Sequence, residues 1–195
     1  LDEDSIRSFI QTIRQDIWLD LNDHLTAYEQ VKIFNRIFFK AHKFHGDSKN
    51  YHSPVNSYIN TVLESKKGNP LSICLLYSII AQSLELPIYG VNLPNHFVLA
   101  YIDTRGSGAM INEENEFGVL CYINAFSNGV IFNTNEIKQF LDELKLPHHR
   151  EYFEPCSNSA IIKRMLNNLI SSFQRVGNSE KVEELTLLRN IIQGN

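Results

Sequence analysis

The chain has 195 residues, of which 43% are hydrophobic and 21% are charged. This length and composition favour one compact domain, or one domain with an appendage, and argue against a disordered chain. The 18 basic and 22 acidic residues are mixed along the sequence and give a formal net charge of −4. The sequence therefore has no basic patch that would predict binding to nucleic acid or to an anionic membrane. No apolar run approaches the roughly 20 residues that cross a bilayer.

The number and spacing of the cysteines indicate whether the chain belongs to a reducing or an oxidising compartment. Cys74, Cys121 and Cys156 are odd in number and widely spaced, and no Cys-x-x-Cys pair indicates zinc or a disulfide framework. We therefore expect a reducing compartment, most simply the cytoplasm, and neither a metal nor another cofactor. The first residue is Leu1 rather than Met, and an amphipathic pattern begins at once, without the charged and apolar regions of a signal peptide. We therefore expect the sequence to be a piece of a longer chain.

Two amphipathic helices are predicted first. Apolar residues recur at helical spacing over residues 6–21, behind acidic residues whose charge suits a helix N-terminus. Thr26 and Glu29 have the spacing of a capping box, and they open a second apolar stripe over residues 31–41. A non-periodic loop over residues 44–51 follows.

The next two predicted helices begin in the same way. Ser53-Pro54 provides an N-cap followed by proline, and predicts a third helix that runs to about Glu64. Asn69-Pro70 repeats the arrangement before residues 71–84, which have no wide polar face. We expect this fourth helix to lie at the centre of the core.

The second half of the chain changes from strands to helices. Alternating patterns predict a small antiparallel sheet from residues 88–93, 96–103 and 119–124, with 104–118 as a long connection. A capped helix follows at 137–144, and residues 157–193 read as two helices separated by Gly177-Asn178. That pair has the size of one tetratricopeptide-like unit, although one copy does not establish a repeat. The fold class is α+β, with a division at residues 1–150 and 151–195.

Several long segments of this chain resemble one known family. They are KGNPLSICLLYSIIA at 67–81 and LPIYGVNLPNHFVLAY at 86–101, supported by FHGD at 44–47, YHSPVNSYIN at 51–60, YINAFSNG at 122–129 and RMLNNL at 164–169. Together they resemble the SirB1 family of the transglutaminase-like superfamily over nearly the whole chain. The resemblance implies a papain-like core carrying a C-terminal helical hairpin.

The resemblance also implies where an active site would lie. Active members place a Cys at the N-terminus of the central helix, a His on a following strand and an Asp or Asn on the next strand. A helix N-terminus lowers the pKa of a thiol, the imidazole accepts its proton, and the third residue orients the imidazole. By position these roles fall on Pro70, His96 and Asn124. Proline has no nucleophilic side chain, so no catalytic triad is intact.

Cys74 is the nearest alternative nucleophile. It lies one turn further along the central helix, where its apolar neighbours predict burial and hence a raised thiol pKa. Cys121 lies three residues before Asn124 on a strand, so alternation turns the two side chains to opposite faces. The sequence therefore predicts no thiol-dependent acyl transfer.

Other residues have both a functional and a structural interpretation. His96 either binds a ligand or moves a proton, or it only hydrogen-bonds across the sheet. The cleft-lining candidates Asn56, Asn60, Asn69 and Asn95 have local capping or turn roles as the alternative. His42, His45 and His52 with Asp47 resemble a metal site only loosely, since no regular ligand spacing supports it. The aromatic group Phe34, Phe38, Phe39 and Phe44 is expected in the core, with Phe39 as a candidate exposed anchor.

Two functions of different classes remain. The first is a non-catalytic module that recognises a protein or peptide in the former active-site cleft, with the C-terminal hairpin as a second surface. The second is a hydrolase or acyl transferase that uses His96 and Asn124 with an unconventional nucleophile or an activated water. A thiol or hydroxyl within hydrogen-bond reach of His96 would favour the enzyme.

Overall fold

The computed structural model describes residues 2–104 and 117–193, and it shows the expected α+β fold. A helical first half packs around one long buried helix, and a sheet and a helical hairpin follow it. The α-helices are α1 (Glu3–Trp18), α2 (Ala27–Asn35), α3 (Ile59–Ser65), α4 (Pro70–Ser83), α5 (Thr134–Glu143), α6 (Asn158–Arg175) and α7 (Ser179–Gln193).

The first two helices form as their caps predict. The side chain of Asp2 accepts a hydrogen bond from the amide of Ser5. Thr26 and Glu29 form both halves of a capping box at the start of α2. The predicted stripe over residues 31–41 is continuous, but its last part, Arg36–Ala41, is a π-helix. Phe39 lies in that part and is buried, so the alternative of an exposed anchor is wrong.

The third predicted helix is two elements rather than one. Pro54–Ser57 is a 3-10 turn, and α3 begins only after Tyr58, whose φ of −93° and ψ of 119° are extended. Ser53 makes no capping hydrogen bond through its side chain. The loop over residues 44–51 also differs from the prediction, because it contains a short strand, β1 (His45–Gly46), which pairs in parallel with β2 (Lys67–Gly68).

Helix α4 is the centre of the core, as its apolar sequence predicts. Ile73, Leu76 and Ile80 are inaccessible to solvent, and only Ile79 departs from the prediction, at 41% exposed. Tyr77 is also fully buried, and its ring stacks on Phe34 at 3.9 Å between centroids. The helix therefore holds together the aromatic side chains of the first half of the chain.

The sheet is antiparallel and has one strand more than predicted. The strands β3 (Ile88–Val91), β4 (Val98–Ile102), β5 (Val119–Asn124) and β6 (Val130–Phe132) lie in that order. The sequence analysis missed β6, whose three residues are too few for an alternating pattern. The predicted connection over 104–118 falls mostly outside the described residues.

The C-terminal pair of helices forms the expected hairpin. A short turn with Gly177 at a φ of +73° joins α6 to α7. Leu169 is buried in the hairpin, and Met165 and Leu185 are partly buried. Leu188 was expected to be buried as well, but it is 45% exposed, because α7 packs mainly against α6 and leaves its outer face open. Across the described part of the chain, every helix is too short or too polar to cross a membrane.

Candidate functional site

A cleft of about 220 Å³ opens where the N-terminus of α4, the β3–β4 loop and helix α6 meet. Neutral polar and aromatic groups dominate its wall, and none of the described residues that line it is an Asp or a Glu. The lining residues are Tyr51, His52, Asn69, Pro70, Leu71, Asn95, His96, Phe97, Arg164, Asn168, Ser171 and Ser172.

Hydrogen bonds fix the start of α4. The Asn69 side-chain oxygen accepts a hydrogen bond from the backbone amide of Ser72 at 2.9 Å, and the Ser72 hydroxyl accepts one from the backbone amide of Asn69 at 3.0 Å. The Ser72 hydroxyl also donates to the Asn56 carbonyl at 2.6 Å, and the side-chain amide of Asn69 donates to the Ser57 hydroxyl at 2.9 Å. A Cβ at Gly68 would lie 2.5 Å from Ser72 Oγ, so only glycine leaves room for this arrangement.

Pro70 occupies the first position of α4 and lines the cleft. This is the position at which the resemblance places a nucleophile. Cys74, one turn deeper, is fully buried, and its thiol donates to the Phe97 carbonyl at 3.4 Å. Burial raises the pKa of the Cys74 thiol far above its ordinary value. Cys74 is therefore a core residue that does not line the cleft.

Burial also affects the other two cysteines. Burial raises the pKa of Cys121 to about 11, and that side chain packs against the main core rather than into the cleft. Burial also raises the pKa of Cys156, which lies just before α6. All three thiols are free, and none lines the cleft.

The loop between β3 and β4 presents His96 to the cleft. Asn95 has a φ of +57°, which turns the chain sharply just before His96. The next side chain, Phe97, is buried over Gly90, where a Cβ would meet the Phe97 ring at 2.6 Å. Glycine at that position lets the ring seat against β3, so the loop holds His96 in one place.

The His96 ring is hydrogen-bonded to the side chain of Asn124 at the end of β5. Burial lowers the pKa of His96, the bond to Asn124 opposes this, and the nearby positive charge of Arg164 lowers the pKa further. The net shift is downward, so the ring is neutral at pH 7. Among the described residues, no thiol or hydroxyl is hydrogen-bonded to this ring.

Arg164 of α6 ties the hairpin to the His96 loop. Its guanidinium donates to the Asn92 side chain at 2.7 Å and to the Leu93 carbonyl at 3.0 Å. A longer bond of 3.4 Å reaches the carbonyl of His96. These acceptors are neutral, and within residues 2–104 and 117–193 no carboxylate pairs with this cation. Burial lowers the pKa of Arg164, although the group stays charged at neutral pH.

The opposite rim is aromatic. Tyr51 is exposed and packs edge-on against Phe126 with 5.7 Å between ring centroids. Phe126 lies two residues after Asn124, in the 3-10 turn that the Asn124 side chain caps through the Ser127 amide at 3.1 Å. The residue that bonds His96 and the residue that supports the rim therefore belong to one rigid turn.

The asparagines predicted to line the cleft are only partly brought together. Asn69 and Asn95 line it. Asn56 is buried behind the first turn of α4, where its amide donates to the Asn50 carbonyl at 2.8 Å. Asn60 lies in α3 and is not among the lining residues. The sequence analysis did not single out Tyr51, Arg164, Asn168, Ser171 and Ser172, and it considered His52 only as a metal ligand.

A helical pattern could have revealed the α6 residues. Arg164, Asn168, Ser171 and Ser172 recur at steps of four, three and one, which places them on one face of a helix. That polar stripe runs beside the apolar stripe of Leu166, Leu169 and Ile170, which are buried. The pattern shows that the stripe is polar, but not which part of the molecule it faces.

The four residues considered as a metal site do not converge. His42 pairs with Asp16 at 2.8 Å, and the His45 ring bonds the Lys43 carbonyl at 3.0 Å. Asp47 accepts from the amide of Asn50 at 3.1 Å, and this bonding lowers its pKa despite partial burial. In the described part of the chain, no three His, Cys, Asp or Glu side chains are grouped as metal ligands.

Comparisons with known proteins fit this geometry. The family model described as the transglutaminase-like superfamily matches residues 4–167. F-box only protein 21 of Homo sapiens is 29% identical over 144 residues, which cover 73% of this chain and 22% of that protein. A UPF0162 protein of Xylella fastidiosa is 23% identical over 175 residues, or 86% of this chain and 56% of that protein.

A second UPF0162 protein, from Haemophilus influenzae, is 28% identical over 149 residues, which cover 72% of this chain and 53% of that protein. The chain thus spans about a fifth of the F-box protein and about half of these two UPF0162 proteins. No solved structure matches the chain significantly.

Proposed function

Because the chain belongs to the transglutaminase-like superfamily, we propose that it is a non-catalytic member of the SirB1 type that binds a protein or peptide in the cleft. One observation carries the proposal: Pro70 stands at the first position of α4, and none of the three cysteines lines the cleft beside His96. Acyl transfer by this superfamily's chemistry needs a nucleophile at that place. The chain retains the pocket without the reacting atom.

The size and rim of the cleft favour a peptide over a whole small molecule. Its volume of about 220 Å³ is below the roughly 300–1,000 Å³ typical of small-molecule pockets. It has room for a side chain or a chain end, with the rest of the ligand lying outside. Tyr51 and Asn95 are exposed at the opening, where an aromatic ring and an amide can contact such a ligand.

The same proposal assigns the C-terminal hairpin a second binding role. Leu187 and Ile191 on α7 are 64% and 57% exposed, as expected for the face of a tetratricopeptide-like unit that another element covers. We also propose residues 1–150 and 151–195 as the two structural units, with Arg164 joining them. The three free thiols support placement in the cytoplasm.

A cleft-filling variant tests the proposal. Random peptides displayed on phage are selected on the immobilised chain, and the enriched peptides are synthesised with a fluorophore. Ser171 is exposed and lines the cleft, so Ser171→Trp fills it from the surface of α6. Ser159→Trp places the same ring on the first turn of α6, away from the cleft, and is the matched control.

We expect anisotropy titrations to show at least about tenfold weaker binding to Ser171→Trp than to the wild type and to Ser159→Trp. His96→Ala should weaken binding in the same direction. Peptides that bind Ser171→Trp as tightly as the wild type would place the binding surface elsewhere. Failure to enrich any peptide would also contradict the proposal.

An enzyme remains the second candidate, because the bond between His96 and Asn124 is retained. A neutral imidazole held by an amide is a competent general base, and the Ser171 hydroxyl lines the same cleft. This function requires turnover of an amide or ester that His96→Ala abolishes and that Ser171→Ala reduces. Turnover that survives both substitutions would exclude the site as its source.

A further inference from the structure

The positive charge of Arg164 has only neutral hydrogen-bond partners among the described residues. This guanidinium is half-buried in the cleft wall, yet its described partners are an amide oxygen and two backbone carbonyls. A guanidinium has five N–H donors in a fork that matches a carboxylate. These bonds occupy only part of that fork, and no carboxylate among the described residues pairs with the charge.

The rest of the cleft is built consistently with an incoming anion. Within residues 2–104 and 117–193 no acidic side chain lines it, although the chain as a whole carries a net charge of −4. Asn168 and Ser171 follow Arg164 on the same face of α6 and add neutral donors. The His96 ring is neutral and adds no negative charge that would repel an anion. The first turn of α4 also opens into the cleft, and the positive end of that 14-residue helix favours an anion there.

We propose that the cleft binds a carboxylate of a peptide, held by the Arg164 guanidinium with Asn168 and Ser171 beside it. This inference rests on the proposed function and narrows its ligand to an acidic side chain or a free C-terminus. The cleft volume of about 220 Å³ fits either group with its adjoining atoms. The bonds from Arg164 to the His96 loop hold the guanidinium in place, so ligand binding orders this side chain little further.

Four small probes separate the possible ligands. Acetyl-Ala-Leu-Glu-amide offers a side-chain carboxylate, and acetyl-Ala-Leu-Gln-amide is its neutral isostere. Acetyl-Ala-Leu-Gln with a free C-terminus offers a terminal carboxylate, and glutarate offers a carboxylate without a peptide. Binding to the full chain is followed by NMR through the backbone amides and the Arg164 Nε–H signal, which detects weak binding.

We expect one of the two peptide carboxylates to shift the signals of Arg164 and Asn168, and to bind at least about tenfold more tightly than the neutral isostere. Arg164→Gln should remove that preference. Arg175→Gln, which removes an exposed charge at the end of the same helix, should keep it. Whichever carboxylate binds identifies the source, either a side chain or a chain end.

Three outcomes would overturn the carboxylate site, and a fourth would overturn only the peptide-binding function. Equal binding of the acidic and neutral peptides at the cleft would refute the carboxylate site but keep a peptide-binding cleft. Glutarate binding as tightly as the peptides would keep the carboxylate site but refute the peptide-binding function. If no probe shifts a cleft signal, or if Arg164→Gln keeps the preference, the carboxylate site is wrong.

Discussion

The two walls of the cleft use their polar groups differently. At the start of α4, Asn69 and Ser72 are buried, and their side chains bond each other and their neighbours at 2.6–3.2 Å. On the other wall, His96 and Arg164 are half-buried; after its described bonds are made, Arg164 keeps unused N–H donors, and the neutral His96 ring keeps a nitrogen that can accept. Both walls are polar, but only one has groups left to offer a ligand.

This difference separates stability from recognition. Buried polar groups that satisfy each other stabilise one geometry, and removing one of them leaves its partner unsatisfied. Groups that line an opening and remain partly unsatisfied are available to bind. We therefore expect substitutions on the α4 wall to change stability, and those on the His96 and Arg164 wall to change binding or pH dependence.

The largest expected effect comes from making the α4 wall reactive. Pro70→Cys places a thiol at the N-terminus of α4 in the cleft with His96, and both features lower a thiol pKa. In the wild type, Cys121 has a pKa of about 11 and is ionised at about one part in ten thousand at pH 7. We expect Pro70→Cys to be alkylated by iodoacetamide at least ~100-fold faster than any native thiol, measured by intact mass.

Pro70→Ser is the matched control, since it removes the proline without adding a thiol and should label as slowly as the wild type. Rapid alkylation of Cys74 or Cys121 in the wild type near pH 6 would contradict the non-catalytic interpretation. A covalent acyl adduct on either residue would do the same.

The next effect tests the bonded wall itself. Ser72→Ala removes the hydroxyl that donates to the Asn56 carbonyl and accepts from the Asn69 amide. Two buried groups lose a partner, so the free energy of unfolding should fall by about 2–3 kcal/mol in urea titrations. Ser83→Ala, at the exposed C-terminal end of α4, should change it by less than about 0.5 kcal/mol. Equal effects at the two ends would mean that the capping bonds do not stabilise the fold.

Arg164→Met tests the join between the hairpin and the His96 loop. It keeps an unbranched side chain on α6 but removes the bonds to Asn92 and Leu93. We expect a loss of about 1–2 kcal/mol in unfolding free energy, with faster amide hydrogen exchange over residues 92–97. Arg175→Met on the same helix should leave both measurements unchanged. If exchange in the loop is not faster, Arg164 does not position His96.

The smallest effect is the pH dependence of His96. Its pKa is lower in the folded chain than the ordinary value of 6.5, first through burial. Below pH 6.5 the unfolded chain therefore binds a proton that the folded chain refuses, so the free energy of unfolding falls as the pH falls. Well above pH 6.5 both states are neutral at this ring and the effect vanishes.

His96→Gln should flatten the stability profile just below pH 6.5, compared with the wild type in urea titrations at several pH values. The exposed His149 provides the control, because His149→Gln should leave the profile unchanged. A wild-type chain that becomes more stable on acidification through this range would show that His96 is stabilised as a cation.

Local patterns predicted most of the fold. The capping box at Thr26 and Glu29, the Asn69-Pro70 start and the Gly177 turn each satisfy or end a helix through neighbours in sequence, and each is present. Ser53-Pro54 looked the same but begins only a 3-10 turn. There the backbone joins a tertiary arrangement instead, in which the Asn56 carbonyl accepts the Ser72 hydroxyl across 16 positions.

The candidate site was only partly predictable for the same reason. The resemblance supplied Pro70, His96 and Asn124, and the structure brings the last two into hydrogen-bond contact. Asn56 and Asn60 were also predicted to line the cleft, with local capping or turn roles as the alternative, and neither is among the lining residues. The side chain of Asn56 is directed into its own loop, whereas Arg164 enters from α6 across 68 positions from His96.

By itself the sequence determined the helices, the apolar character of α4 and the absence of a nucleophile at Pro70, because caps, periodicity and residue chemistry act over a few positions. The tertiary structure alone decided that α6 completes the cleft, that Arg164 faces it with only neutral partners among the described residues, and that Leu188 stays exposed. Those outcomes depend on which faces meet when distant segments pack, and the period of a helix specifies a face but not its partner.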